Sequence, residues 1–188
     1  MAKPKIAITM GDPAGIGPEI IVRALAREEV WQQAVCLVAG DEKILRLAME
    51  ATGTKLRIRR VRSAGEAADE KGVINLMDRE NVRMGEFQWG RISAMCGRAA
   101  YEYIETGIAL ANAGEVDAVC TAPINKEALR AAGVPYIGHT EIFGALTGTE
   151  DPLTMFETKG MRIFFLTRHV SLRQMLDMIK KERIIDYV

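Results

Sequence analysis

Apolar positions along the chain follow two patterns. Short apolar runs are bounded by Gly, Pro or Asp, and longer stretches return an apolar residue every three or four positions. The first pattern reads as buried strands and the second as amphipathic helices. Lys5–Met10 (KIAITM), Ala34–Ala39 (AVCLVA), Lys55–Val61, Val73–Met77, Val116–Ala122 and Met161–Thr167 (MRIFFLT) are the predicted strands. A first helix is expected from Pro18, whose missing N–H costs nothing in an opening turn, to about Arg27. Asp41 caps a second, which carries Ile44, Leu45, Ala48 and Met49 inward and stops at Gly53. The longest periodic segment is Arg91–Ala113, although Gly97 and Gly107 lower its helix propensity. Asn125 caps a helix ending near Gly133, and Thr140–Leu146 is a short one. Ser171 and Gln174 form a capping box for a last helix running to the C-terminus. Ser63–Lys71 reads as a loop or a short helix.

Apolar strands alternating with amphipathic helices imply parallel pairing with helices on both faces. The expected class is α/β, an α/β/α sandwich on a mostly parallel sheet. A length of 188 residues suits one large domain or a domain plus part of another. Lys+Arg and Asp+Glu are both 25, so the basic excess of a nucleic-acid binder is absent. Arg57, Arg59, Arg60 and Arg62 alternate with Leu56, Ile58 and Val61, which fits the wet face of an edge strand. No apolar stretch approaches bilayer length, and Met1–Lys5 leads into a strand without a signal-like segment, so no membrane partner and a cytoplasmic setting are expected. Cys36, Cys96 and Cys120 lie far apart in apolar runs, as buried reduced thiols would.

Open parallel sheets bind ligands beyond the carboxyl ends of their strands. Three segments fall there: Gly11–Glu19, Thr121–Lys126 and Thr167–Ser171. GDPAGIG, with Asp12, offers free N–H groups at a helix start, suited to an anion. It is equally a tight strand-to-helix turn that needs small residues. No GK[ST] follows, which excludes a P-loop, and Ile20 takes the third glycine position of a dinucleotide fingerprint. Asp41 in a ribose-binding role keeps a nucleotide-binding reading open. Lys126 opposes the dipole of its helix, which makes sense if its ammonium faces an anionic substrate or a carboxylate. A solvated surface lysine is the plain alternative. His139 in GHTE, beside Thr140 at a loop-to-helix junction, is suited to gripping a phosphate or hydroxy acid, although His139 and His169, each taken singly, are as often satisfied structural histidines. His169, after MRIFFLT, is placed to ligate a divalent cation, but neither histidine has a local partner at metal-ligand spacing.

Together MGDPAGIGPEI (10–20), TAPINKEALRAAG (121–133), YIGHTE (136–141) and TRHVSLR (167–173) resemble the 4-hydroxythreonine-4-phosphate dehydrogenase family, in order and approximate spacing. WGRISAMCGRAAYEYIE (89–105) with AGEVDAVCTAPINK (113–126) is closer to the branch similar to 4-phospho-D-threonate and D-erythronate dehydrogenases than to the vitamin B6 pathway enzyme. The resemblance implies a two-lobed fold like isocitrate and isopropylmalate dehydrogenases, and a homodimer with its active site at the interface. It implies oxidation of a secondary alcohol of a small phosphorylated hydroxy acid by NAD or NADP, then loss of carbon dioxide from the β-keto acid. His139 and Thr140 would contact substrate. His169 would be one of three histidines on a divalent cation (Zn, Mg, Co or Mn), and Asp12 and Lys126 would be cleft residues. Imidazoles 139 and 169 are expected to look into a shared hollow.

Family members are considerably longer, and this chain has only two histidines. Residues 1–188 are therefore expected to be the N-terminal part of a two-lobed enzyme, with little or no activity alone. The alternative is a non-catalytic phosphate-ligand-binding or interaction protein derived from the same fold.

Overall fold

The computed structural model describes residues 2–168 and 170–187. They form two compact units, 1–148 and 149–188. In the first, strands β1 (Lys5–Thr9), β2 (Val35–Gly40), β3 (Arg57–Arg60), β4 (Val73–Asp78) and β5 (Ala118–Thr121) make one sheet in the order β3-β4-β2-β1-β5. Every pairing in it is parallel. Register follows the two-residue period of the sequence: Ile8 lies opposite Val38 and Val38 opposite Leu76, while Ala7, Leu37 and Asn75 align on the other face.

Helices α1 (Gly17–Leu25) and α3 (Glu42–Thr52) bury Ile21, Val22, Ile44, Leu45 and Ala48 with Val38, Ile74 and Leu76 on the first face. The long α4 (Ala94–Asn112) covers the second, where Leu110 joins Ala7 and Leu37. Helices on both faces of a parallel sheet establish the α/β/α sandwich read from the sequence. Two short helices, α5 (Lys126–Ala131) and α6 (His139–Thr147), bury Leu129 and Ile142 against Ile104 and Ile108 of α4. Gly97 explains its own propensity cost here: a Cβ on it would stand 2.0 Å from the Ala128 carbonyl oxygen, so only glycine lets α5 approach α4 this closely.

Some details depart from the sequence reading. A short surface helix, α2 (Glu28–Gln33), buries none of its residues and so left no apolar period to find. Helix α4 begins at Ala94, behind a Ser93 cap that accepts the Cys96 N–H, rather than at Arg91. Ser63–Lys71, read as a loop or a short helix, agrees with that reading as a loop with one 3-10 turn, Ala64–Glu66. Cys96 is buried, but Cys36 is half-buried and Cys120 exposed, against the expected burial of all three. Cys120 lies on β5, an edge strand, and an apolar run does not reveal whether a strand is central or at the edge. The other edge, β3, is the arginine-bearing strand expected, with Arg57, Arg59 and Arg60 exposed.

In the second unit, Met161–Thr167 is not a strand of the parallel sheet. Strand β7 (Met161–Phe164) stops early and pairs antiparallel with β6 (Met155–Thr158). The two-residue turn between them, Lys159–Gly160, has positive φ at both positions (49° and 78°), the twist that suits a tight hairpin. The Ser171–Gln174 capping box forms as read. The expected last helix is nevertheless two, α7 (Leu172–Met178) and α8 (Lys181–Asp186), broken where Ile179 takes ψ 87°. Among the described residues no helix is long and apolar enough to cross a membrane.

Candidate functional site

From β1 the chain moves through β2 to β3 and β4 on one side, then returns to place β5 on β1's other side. The direction of crossover therefore reverses between β1 and β5, and a crevice opens beyond the carboxyl ends of such a strand pair. The loop after β1 and the loop after β5 meet at this point. The Asp12 N–H donates to the Pro123 carbonyl at 3.0 Å. Gly17 shows how tight the junction is, because a Cβ there would lie 2.3 Å from the Met10 carbonyl oxygen and 3.1 Å from the Ala122 Cβ. The small residues of GDPAGIG thus have a packing cause, while the same turn leaves a cleft of about 280 Å³ beside Asp12, Ile16 and Asn125.

Asp12 is only 4% exposed. Its Oδ1 accepts the Ala14 N–H at 2.8 Å, and its carbonyl accepts the Gly15 N–H at 3.0 Å. Burial pushes its carboxyl above the ordinary carboxylate range, and the Ala14 N–H partly offsets that rise.

On the other side of the 121–126 segment, Asn125 caps α5 by accepting the Ala128 N–H at 3.0 Å, and Lys126 follows in the first turn. The Lys126 side chain is exposed and runs past Gly138, with Cε 3.8 Å from where a Cβ on that glycine would sit. Gly138 is the N-cap of α6, so His139 and Thr140 occupy its first turn. The His139 Nε2 is buried and has no hydrogen-bond partner among the described residues. Burial lowers its pKa, which favours the neutral imidazole. A neutral ring with an unsatisfied nitrogen and a hydroxyl on Thr140, at a helix start that the Lys126 side chain runs past, have the chemistry to hold an anionic hydroxyl compound and take up a proton.

The fold thus joins the Asp12 loop to Pro123 and runs the Lys126 side chain past Gly138, the residue before His139 and Thr140, while the cleft beside Asp12 is lined by none of Lys126, His139 and Thr140. His169 lies outside the described residues, and so does its expected pairing with His139. Among the described residues no three His, Cys, Asp or Glu side chains form a metal-binding group. Asp41 is not a ribose ligand: it is fully buried, its Oδ1 accepts the Lys43 N–H and its Oδ2 accepts the Val82 N–H. The nucleotide-binding reading loses its acidic residue to this structural role. Sequence reasoning missed Arg91, which lines the Asp12 cleft. It had been absorbed into the long helical period, and the signal that separates it is the capping serine at Ser93.

The chain is similar to known proteins over most of its length. The family described as pyridoxal phosphate biosynthetic protein PdxA matches residues 32–188. A protein of Symbiobacterium thermophilum, provisionally named D-threonate 4-phosphate dehydrogenase, is 54% identical over 186 residues, covering 99% of this chain and 56% of its own length. A Fusobacterium nucleatum protein of the same provisional name is 50% identical over 184 residues, covering 98% of this chain and 55% of its own. Among solved structures, 4-hydroxythreonine-4-phosphate dehydrogenase from Burkholderia phymatum matches with a TM-score of 0.91 at 39% identity, over 98% of this chain and 56% of that one. The chain spans a little more than half the length of these relatives.

Proposed function

We propose, because the chain belongs to the PdxA family, that it forms the substrate-gripping part of a dehydrogenase acting on a phosphorylated four-carbon hydroxy acid. The substrate is 4-phosphooxy-threonine or 4-phospho-D-threonate or D-erythronate, and the names of the relatives at 50% identity and above favour the D-threonate phosphate. The reaction oxidises the secondary alcohol with NAD or NADP, and the β-keto acid so formed loses carbon dioxide. A homodimer in the cytoplasm belongs to the same reading.

The observation that carries it is the His139 Nε2, buried and without a hydrogen-bond partner among the described residues, in a first turn whose N-cap, Gly138, the Lys126 side chain runs past. An unsatisfied buried nitrogen is costly unless a ligand completes it. His139 then accepts the hydrogen bond of a substrate hydroxyl, Thr140 orients the same end, and Lys126 attracts the negative charge. Asp12, whose carboxyl burial pushes above the ordinary range, lines the neighbouring cleft.

A divalent cation (Zn, Mg, Co or Mn) with His169 among its ligands is part of the proposal, and such an ion polarises an alcohol oxygen. The described residues do not make a metal site on their own. They do not fit a dinucleotide fingerprint either, with Ile20 at its third glycine position and Asp41 committed to the fold.

The test is NAD(P) reduction with D-threonate 4-phosphate and a divalent cation. It compares the 188-residue chain with the same chain joined to the remaining part of the Symbiobacterium relative. Negligible turnover by the first and clear turnover by the second are expected. Turnover by the isolated chain would show that the whole catalytic apparatus is already present, and none by the joined polypeptide would overturn the reading.

A further inference from the structure

The connector between β4 and α4, residues 79–93, is firmly placed. Phe87 packs against the main core and meets Trp89 edge-to-face with ring centroids 5.0 Å apart. The Gly90 N–H then donates to the Ala14 carbonyl at 2.8 Å, pinning the end of the connector onto the GDPAGIG loop. Arg91 comes next. Among the residues lining the 280 Å³ cleft it is the one cation and Asp12 the one acid.

The electrostatics of this position are unbalanced. The arginines before and after it in sequence are both paired, Arg83 with Glu86 and Arg98 with Glu102. Arg91 makes no ion pair or hydrogen bond among the described residues. It stands two residues before the Ser93 cap of α4, a helix with no acidic residue in its first turn, and a cation beside a helix N-terminus is unfavourable by itself. Ile16, the N-cap of α1, lines the same cleft, so a second helix start adds positive potential. Asp12 is more than nine-tenths buried there, and its Oδ2 has no hydrogen-bond partner among the described residues. An anion held by Arg91, with a hydroxyl against Asp12 Oδ2, would satisfy both groups together.

We propose that Arg91 is a specificity-determining residue of this site, binding an oxyanion of the hydroxy-acid substrate across the cleft from Asp12. The inference rests on the substrate class given above. Asn125 assists it: with Oδ1 given to the α5 cap, its amide NH2 is left as a donor at the cleft. A planar guanidinium suits either a carboxylate or a phosphate, each of which it can grip with two parallel hydrogen bonds.

Trp89, 41% exposed and two residues away, reports on the site by its fluorescence. The 188-residue chain is titrated with D-threonate 4-phosphate, with D-threonate and with inorganic phosphate. The titrations are repeated for Arg91→Gln, Arg91→Lys, His139→Gln and the edge-strand control Arg59→Gln. Binding of D-threonate 4-phosphate is expected to weaken at least about tenfold in Arg91→Gln, less in Arg91→Lys, and not at all in Arg59→Gln. If D-threonate loses affinity in parallel, Arg91 holds the carboxylate; if inorganic phosphate does, it holds the phosphate. Either result supports the assignment. Unchanged affinity in Arg91→Gln alongside a loss in His139→Gln overturns this inference and leaves the functional reading standing. Absence of binding by the unmodified chain overturns both.

Discussion

The amide of Asp12 and the carbonyl of Pro123 meet at 3.0 Å, and through this bond the loop that follows β1 is held to the loop that follows β5. Asp12 contributes to the architecture with its backbone and keeps its carboxyl for the cleft. The two functions separate under mutation. In Asp12→Asn the Ala14 N–H retains an oxygen acceptor while the buried charge is removed. Burial raises the folded-state pKa of Asp12, so its destabilising effect develops as pH rises from the ordinary value of 3.8 through the raised one. Thermal melts of Asp12→Asn should therefore lie about 2–4 °C above the parent at pH 7, a gain of the order of 1 kcal/mol, and coincide with it below about pH 4.

His139 has the opposite pH signature. Burial disfavours its imidazolium, so below the ordinary histidine value of 6.5 the unfolded chain takes up a proton that the folded chain resists. Stability falls as pH drops through that range. Denaturant midpoints from pH 8 to pH 5 should show the fall in the parent and a shallower slope in His139→Gln. Identical slopes would mean that the ring titrates freely in the fold.

Lys126 is exposed, and its removal should cost the fold almost nothing. In Lys126→Gln the thermal midpoint is expected to stay within about 2 °C of the parent. Affinity for D-threonate 4-phosphate, measured by calorimetry, should fall about tenfold. A destabilised variant with unchanged affinity would assign the lysine to the structure instead.

Gly97→Ala tests the packing of α5 on α4. A methyl 2.0 Å from the Ala128 carbonyl oxygen cannot be accommodated without moving one helix. The expected loss is about 2–3 kcal/mol in urea unfolding, despite the better helix propensity of alanine. Because α5 carries Lys126, ligand affinity should decline with it.

The three thiols should react in order of exposure. Cys120 is exposed, and burial pushes the half-buried Cys36 up to about 11, with Cys120 adding to the rise. Mass spectrometry after brief alkylation at pH 8 should find one label, on Cys120, with Cys36 slower and Cys96 reacting only on unfolding.

The sequence made the first unit legible where a short-range pattern and the tertiary fold agree. The runs KIAITM and AVCLVA, the Asp41 and Asn125 caps and the Gly53 stop each follow from local physics, and each forms as read. What it hid depended on neighbours in space. Cys120 sits in an apolar run, yet only sheet order makes β5 an edge. MRIFFLT has the composition of a buried strand, and its pairing was decided by the Lys159–Gly160 turn. Arg91 continued the period of α4 until the Ser93 cap moved it into the loop. At the candidate site, His139 and Thr140 were visible from GHTE, but the open Nε2 and the passage of Lys126 along Gly138 needed coordinates.

In the proposed function, segments distant in sequence form one receptor for a phosphorylated hydroxy acid. Amide chemical shifts of the isotope-labelled chain, followed while D-threonate 4-phosphate is added, test it most directly. Residues 12–17, 90–91, 123–127 and 138–141 should shift together along one saturating curve. Shifts confined to a single segment, or no saturable response in any of them, would contradict it.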